Sequence, residues 1–180
     1  QSIARAVIPE DSGETAKIVD FGKLRTGIAI VSNGGVKFTS TIAMGSNTLT
    51  EVIAKDLGVS YDEADKVKID QGIEAGGENG NLSPSMITAI NALRQEINKN
   101  YLYWQTHEDD FGKKRAPIQK IYLSGGGSNL LGFVSYLGTG LPVAVELANV
   151  MVNVNKLDQY VPEINFNDSL HYSTAIGLAL

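Results

Sequence analysis

The chain has 180 residues, 43% of them hydrophobic, enough to bury a core as one domain or as two small subdomains. Its 15 basic residues stand against 20 acidic ones, for a net charge of −5 and a pI near 5.0, which argues against nucleic acid or a polybasic membrane patch. No cysteine is present, which excludes disulfides and thiolate metal sites. No apolar run reaches the roughly 18 residues of a membrane span, and the expectation is a cytosolic chain without a direct span.

Residues 2–8 (SIARAVI) have the pattern of the last turns of an amphipathic helix, and the polar stretch 9–14 carries proline and glycine breakers. Residues 1–15 are therefore expected to be the remnant of a preceding subdomain with its hinge, and the chain to be a fragment of something longer. Strands follow at 16–20, 27–32 and 36–43, joined by short glycine turns. Asn33-Gly34-Gly35 supplies the positive φ that a tight hairpin requires.

A helix is expected from Asn47, with Leu49, Val52, Ile53 and Leu57 at helical spacing and Gly58 as its stop. Ser60 and Glu63 form a capping box that opens the next helix. Residues 72–81 hold four glycines and no periodicity and read as a loop. Ser83-Pro84 starts a long helix in which Met86, Ile90, Leu93, Ile97, Tyr101 and Trp104 share one face. Beyond the polar stretch 107–115 and Pro117, the pattern predicts a strand at 118–123, a helix at 129–137, a strand at 143–145 and a terminal helix at 172–180. The order, three antiparallel strands and a helix, a helical insertion, then strand, helix, strand, helix, is that of one half of the actin-like ATPase fold.

Two glycine turns, each directly after a strand, carry the chemistry. Glycine lets backbone approach a ligand closely, and amides at a tight turn can face phosphate oxygens. In the second, Ser124-Gly125-Gly126-Gly127, a dinucleotide fingerprint fails at Leu130, a P-loop fails at Phe133 where lysine is required, and a nucleophile elbow fails at Leu130. In the first, Asp20-x-Gly22-x-x-x-Thr26, a carboxylate at the end of a buried strand and a glycine turn suit the waters of Mg²⁺ and phosphate oxygens respectively. His107 and His171 lie far apart with no ligand spacing and are assigned no chemistry, and residues 108–110 read as a solvated acidic face.

Several segments carry a resemblance: residues 18–22 with Thr26, Gly45-Ser46-Asn47 opening a helix, residues 63–68, residues 121–130, Leu141-Pro142-Val143 and the closing residues 175–180. In this order and spacing they make the chain similar to the C-terminal half of the PilM family of type IV pilus assembly proteins, actin-like relatives of the division protein FtsA. The resemblance implies an α/β half-molecule: an RNase H-like subdomain at 16–58 and 116–180, a mixed sheet with flanking helices, and an inserted helical subdomain at 59–115.

It also implies ATP and Mg²⁺ as cofactors. Asp20, Gly22, Lys23 and Thr26 would form the second phosphate loop, with Asp20 reaching Mg²⁺ through water. Gly125, Gly126 and Gly127 would form the adenosine loop, and Asp65 and Lys68 the helix motif that holds ribose and adenine. Asp65 stands where the family favours glutamate, and Lys23, Leu24 and Arg25 stand where it has small polar residues. The first phosphate loop, and the groove for the cytoplasmic peptide of a PilN-like inner-membrane protein, would belong to the other half of the molecule. The implied whole is a cytoplasmic scaffold at the bacterial inner membrane, with other pilus assembly proteins as partners and homo-oligomerisation open to it. It would be at most a slow ATPase, with no catalytic residue here. An FtsA-like division scaffold or an actin-fold sugar kinase are the alternatives.

Overall fold

The computed structural model describes residues 1–74, 82–109, 111–154 and 163–180. Five strands, β1 (Ala16–Phe21), β2 (Thr26–Ser32), β3 (Gly35–Ile42), β4 (Lys120–Ser124) and β5 (Ala144–Leu147), form one mixed sheet in the order β3-β2-β1-β4-β5. β1 pairs antiparallel with β2 and parallel with β4, β2 pairs antiparallel with β3, and β4 runs parallel to β5. The β2–β3 turn places Asn33 at φ 50° and Gly34 at φ 70°, the backbone that its Asn-Gly-Gly sequence predicts. β1 lies in the middle of the sheet, and each of its residues except Asp20 is buried, as a strand covered on both faces must be.

Seven helices are described: α1 (Ser2–Val7), α2 (Ser46–Leu57), α3 (Tyr61–Gln71), α4 (Pro84–Thr106), α5 (Phe133–Gly138), α6 (Phe166–Ser169) and α7 (Ser173–Ala179). The alternation of side chains along β1 divides them between two layers. Val19 and Phe21 pack with Leu49 and Ile53 of α2, Met86 and Leu93 of α4 and Phe133 of α5, while Ala16 and Ile18 pack with Ala6 and Val7 of α1 and with Leu170. Helices thus cover both faces of the sheet. On the second face α1 and α7 approach so closely that a Cβ on Gly177 would lie 1.8 Å from the Ser2 carbonyl oxygen. From the 59–115 region, Ala64 of α3 and Ile90 and Ile97 of α4 pack in the same cluster as Val19 and Leu123 of the sheet.

Local signals account for most boundaries. Gly58 ends α2 at φ 65°, the capping box of Ser60 and Glu63 starts α3, and the Ser83 hydroxyl accepts from the Met86 amide at 3.1 Å to start α4. Three expectations need correction. Residues 72–74, read as loop, continue α3 as a 3₁₀ turn (Gly72–Glu74), and the rest of that glycine-rich stretch lies outside the described residues. The helix predicted at 129–137 is a 3₁₀ turn (Gly126–Asn129) followed by α5, because Gly132 takes φ 77° between them. The terminal helix is preceded by α6, whose start the Asn165 side chain caps by accepting from the Asp168 amide at 2.8 Å. Asp110 of the acidic run lies outside the described residues, and Asp109 is spent on its own loop, accepting from the amides of Phe111 and Lys113.

Candidate functional site

The parallel strands β1 and β4 end side by side, Asp20 opposite Ser124, and the crevice outside the carboxyl ends of such strands is where open α/β sheets take ligands. A cavity of about 740 Å³ opens there, within the usual range for small-molecule sites. Asp20, Gly22, Lys23, Asp65, Lys68 and the three glycines 125–127 all line it. Eight of the nine residues singled out from the sequence, from Asp20 to Gly127, therefore meet in one place.

Thr26 is the exception. It is fully buried, and its hydroxyl donates to the Met44 carbonyl at 2.7 Å. As the first residue of β2 it closes the hairpin against the chain leading into α2, and it does not line the cavity. The turn before it is held by its own backbone: the Gly22 amide donates to the Arg25 carbonyl at 3.1 Å, and the first amides of α2, from Ser46 and Asn47, donate to the carbonyls of Gly22 and Lys23 at 3.0 Å. What this turn offers the cavity is chiefly side chains. Asp20 is the carboxylate at its mouth, and burial pushes its pKa above the ordinary value, so a cation beside it would favour the ionised form. Among the described residues no group of three or more His, Cys, Asp or Glu side chains is placed to hold a metal ion.

Lys68 is not a surface lysine. It is 8% exposed, and its ammonium donates to Asp65 Oδ1 at 2.6 Å and to Thr50 Oγ1 at 2.7 Å. The hydrogen bond from Lys68 holds the Asp65 carboxyl below the usual carboxylate range. Asp65 and Lys68 are one turn apart on α3, and Thr50 reaches them from α2, so a buried charge is paired and fixed at the cavity wall. The sequence did not pair Thr50 with Lys68, because nothing local marks a threonine in mid-helix as a lysine's partner.

The three glycines of the second turn have different tasks. At Gly125, φ is 82° and a Cβ would lie 2.5 Å from Asp20 Oδ1 and 2.7 Å from the Phe21 carbonyl oxygen; at Gly127 a Cβ would lie 2.7 Å from the Phe21 ring and carbonyl. Both positions let the turn press against the end of β1. At Gly126 the obstacle is a side chain alone, the His171 ring, which a Cβ would meet at 2.2 Å. His171 therefore rests its imidazole on Gly126 inside the cavity, beside Asn167 and Asp168. The sequence assigned His171 no role because its neighbours in the cleft arrive from β4, more than forty residues earlier. Ser173 is also in place here, its hydroxyl 2.6 Å from that of Ser124.

Comparison with known proteins places the chain. A family model described as type IV pilus assembly protein PilM matches residues 1–180. Among solved structures, the PilM–PilN type IV pilus biogenesis complex superposes with a TM-score of 0.73 at 20% identity, over 98% of this chain and 47% of that chain. MreB5 of Spiroplasma citri bound to AMPPNP superposes with a TM-score of 0.64 at 14% identity, over 99% of this chain and 56% of that one. The cell division protein FtsA of Neisseria meningitidis serogroup B is 32% identical over 77 residues, 42% of this chain and 19% of the relative. The chain thus spans about half the length of the solved proteins it matches.

Proposed function

The chain belongs to the PilM family of type IV pilus assembly proteins, and from that premise we propose that it supplies one wall of an ATP-binding cleft in a scaffold of the pilus assembly machinery. The observation that carries this reading is the convergence of Asp20, Gly126 and the Lys68–Asp65 pair on one cavity at the carboxyl ends of β1 and β4. Asp20 would hold Mg²⁺ through water, Lys23 would face the phosphates, Asp65 and Lys68 the ribose and base, and Gly126 the adenosine. The bound nucleotide would supply the charge and surface that draw the two walls of the cleft together. No residue of this wall is assigned as a base for activating water, so hydrolysis is read as at most slow and the nucleotide as a clasp.

The solved PilM–PilN complex supports a PilN-like inner-membrane protein as the partner, engaged through the part of the molecule outside these residues, and with it a place at the inner membrane's cytoplasmic side. No helix among the described residues is long and apolar enough to cross a membrane. The test is calorimetric titration of ATP with Mg²⁺ into the protein at full length and into Asp20→Ala and Lys68→Met. Loss of one set of charge-assisted contacts is worth roughly 1.5–3 kcal/mol, so each variant is expected to bind about ten- to a hundredfold more weakly. Unchanged affinity in both would remove this cavity from nucleotide binding.

A further inference from the structure

Thr50 lies one turn into α2 and is fully buried. Its hydroxyl stands between two charges of α3. It accepts from the Lys68 ammonium at 2.7 Å and donates to Asp65 Oδ1 at 3.1 Å, with the Ser46 carbonyl a longer alternative at 3.4 Å. Lys68 also donates to that same Oδ1 at 2.6 Å. Three side chains from two helices thus close a ring of hydrogen bonds around one carboxylate oxygen.

A carboxylate accepts through both oxygens, and an ammonium has three protons to give. Asp65 spends Oδ1 on Lys68 and Thr50, and among the described residues its Oδ2 accepts from no donor. Lys68 spends two protons within the ring and keeps one. The Asp65 side chain is 41% exposed at the cavity wall and that of Lys68 is 10% exposed, so the carboxylate is the half of the pair that a ligand reaches first. The bond from Lys68, with a lesser one from Thr50, holds this carboxyl below the usual carboxylate range. A fixed anionic acceptor beside a held cationic donor suits two neighbouring hydroxyls, one donating and the other accepting.

Thr50 also sets where that acceptor stands. At the start of the same helix the Ser46 and Asn47 amides bind the carbonyls of Gly22 and Lys23. α2 therefore carries the Asp20 turn on its first residues and the Asp65–Lys68 pair one turn later.

Resting on the nucleotide reading above, we propose that Thr50 is a positioning residue for the ribose. It pins Asp65 Oδ1 and Lys68, so that Oδ2 and the remaining lysine proton meet the 2′- and 3′-hydroxyls at a distance from the phosphate turn that α2 fixes. Thr50 itself touches no ligand.

ATP and 2′,3′-dideoxy-ATP, which lacks only those hydroxyls, are the probes. Each is titrated with Mg²⁺ into the protein at full length and into Thr50→Val, which keeps the bulk and removes the hydroxyl, and Thr50→Ser, which keeps the hydroxyl. The unaltered protein is expected to bind ATP at least about tenfold more tightly than the dideoxy nucleotide, as one charge-assisted hydrogen bond provides. In Thr50→Val, ATP weakens about tenfold, the dideoxy nucleotide stays within about twofold, and the preference disappears; Thr50→Ser restores it. Thr50→Ala serves in place of Thr50→Val if the latter does not fold. Equal binding of the two nucleotides by the unaltered protein overturns the proposal without any variant. A preference that survives loss of the hydroxyl overturns it too, and an equal loss for both nucleotides reduces Thr50 to general support of the wall. Absence of binding by either nucleotide would sink the nucleotide reading itself and the proposal with it.

Discussion

The two glycine turns at the cleft are built in opposite ways. In the turn after β1 the backbone amides at Gly22, Ser46 and Asn47 are tied to neighbouring carbonyls, and the side chains of Asp20 and Lys23 face the cavity. In the turn after β4 side chains are absent at three successive positions, and the first and third glycines are required by the fold, because each presses on Asp20 or Phe21. At Gly126 the neighbour is instead the His171 ring, a side chain that lines the cavity with it. A run of three glycines is therefore not three ligand contacts. Most of it lets β4 end against β1, which in turn places Asp20 at the mouth of the cleft.

The contrast can be broken most strongly at Gly125. Gly125→Ala combines a left-handed φ with a clash against Asp20 and the Phe21 carbonyl, and roughly 2–6 kcal/mol of stability should be lost. Denaturant unfolding measures it. A loss below about 0.5 kcal/mol, the usual surface value, would mean that the turn is not clamped as described.

Next in size is the pH response of β1, which carries two desolvated ionisable groups of opposite sign. Lys17 is fully buried beneath α4, donating to the Ile97 carbonyl, and burial lowers its pKa to about 7. The unfolded chain therefore binds the proton more tightly than the folded one between about pH 7 and the ordinary value of 10.5. Across that window stability should rise with pH, by at most about 1.4 kcal/mol per unit. Asp20 works in the reverse sense: its raised pKa means that stability falls as pH climbs above the ordinary carboxyl range. Lys17→Met should abolish the alkaline rise and raise stability at neutral pH by about 1–4 kcal/mol, as replacement of a buried charge by an apolar side chain can. Asp20→Asn should flatten only the acid side. An alkaline rise that persists in Lys17→Met would place its source elsewhere.

The smallest effect on stability belongs to Gly126→Ala. The atom it meets is at the end of a side chain that can swing away, so the change should cost under about 1 kcal/mol while weakening nucleotide binding. A stability loss matching that of Gly125→Ala would erase the distinction between the two positions.

Much of this was legible in the sequence where the signal is local. The β1–β3 meander, the α3 capping box and the apolar face of α4 each depend on residues within one turn or one strand, and each is present. The fold class followed from their order. Illegible were the partners that only the sheet brings together: Thr50 with Lys68 across two helices, Asn129 with Asn167, and His171 on Gly126. Thr26 shows the converse, a motif position whose hydroxyl the fold spends on Met44. Lys17 was unreadable too, since a lysine in an alternating strand is ordinarily placed outward, and only burial of β1 on both faces puts it inside.

Hydrogen exchange of the protein at full length, with and without ATP and Mg²⁺, tests the central claim most directly. Slower exchange is predicted in the turn after Asp20, in α3 around Asp65 and Lys68, at residues 125–129 and around His171, with the exposed end of α4 unchanged. Protection confined to other parts of the molecule, or none at saturating nucleotide, would contradict the assignment of this cavity as a wall of the ATP cleft.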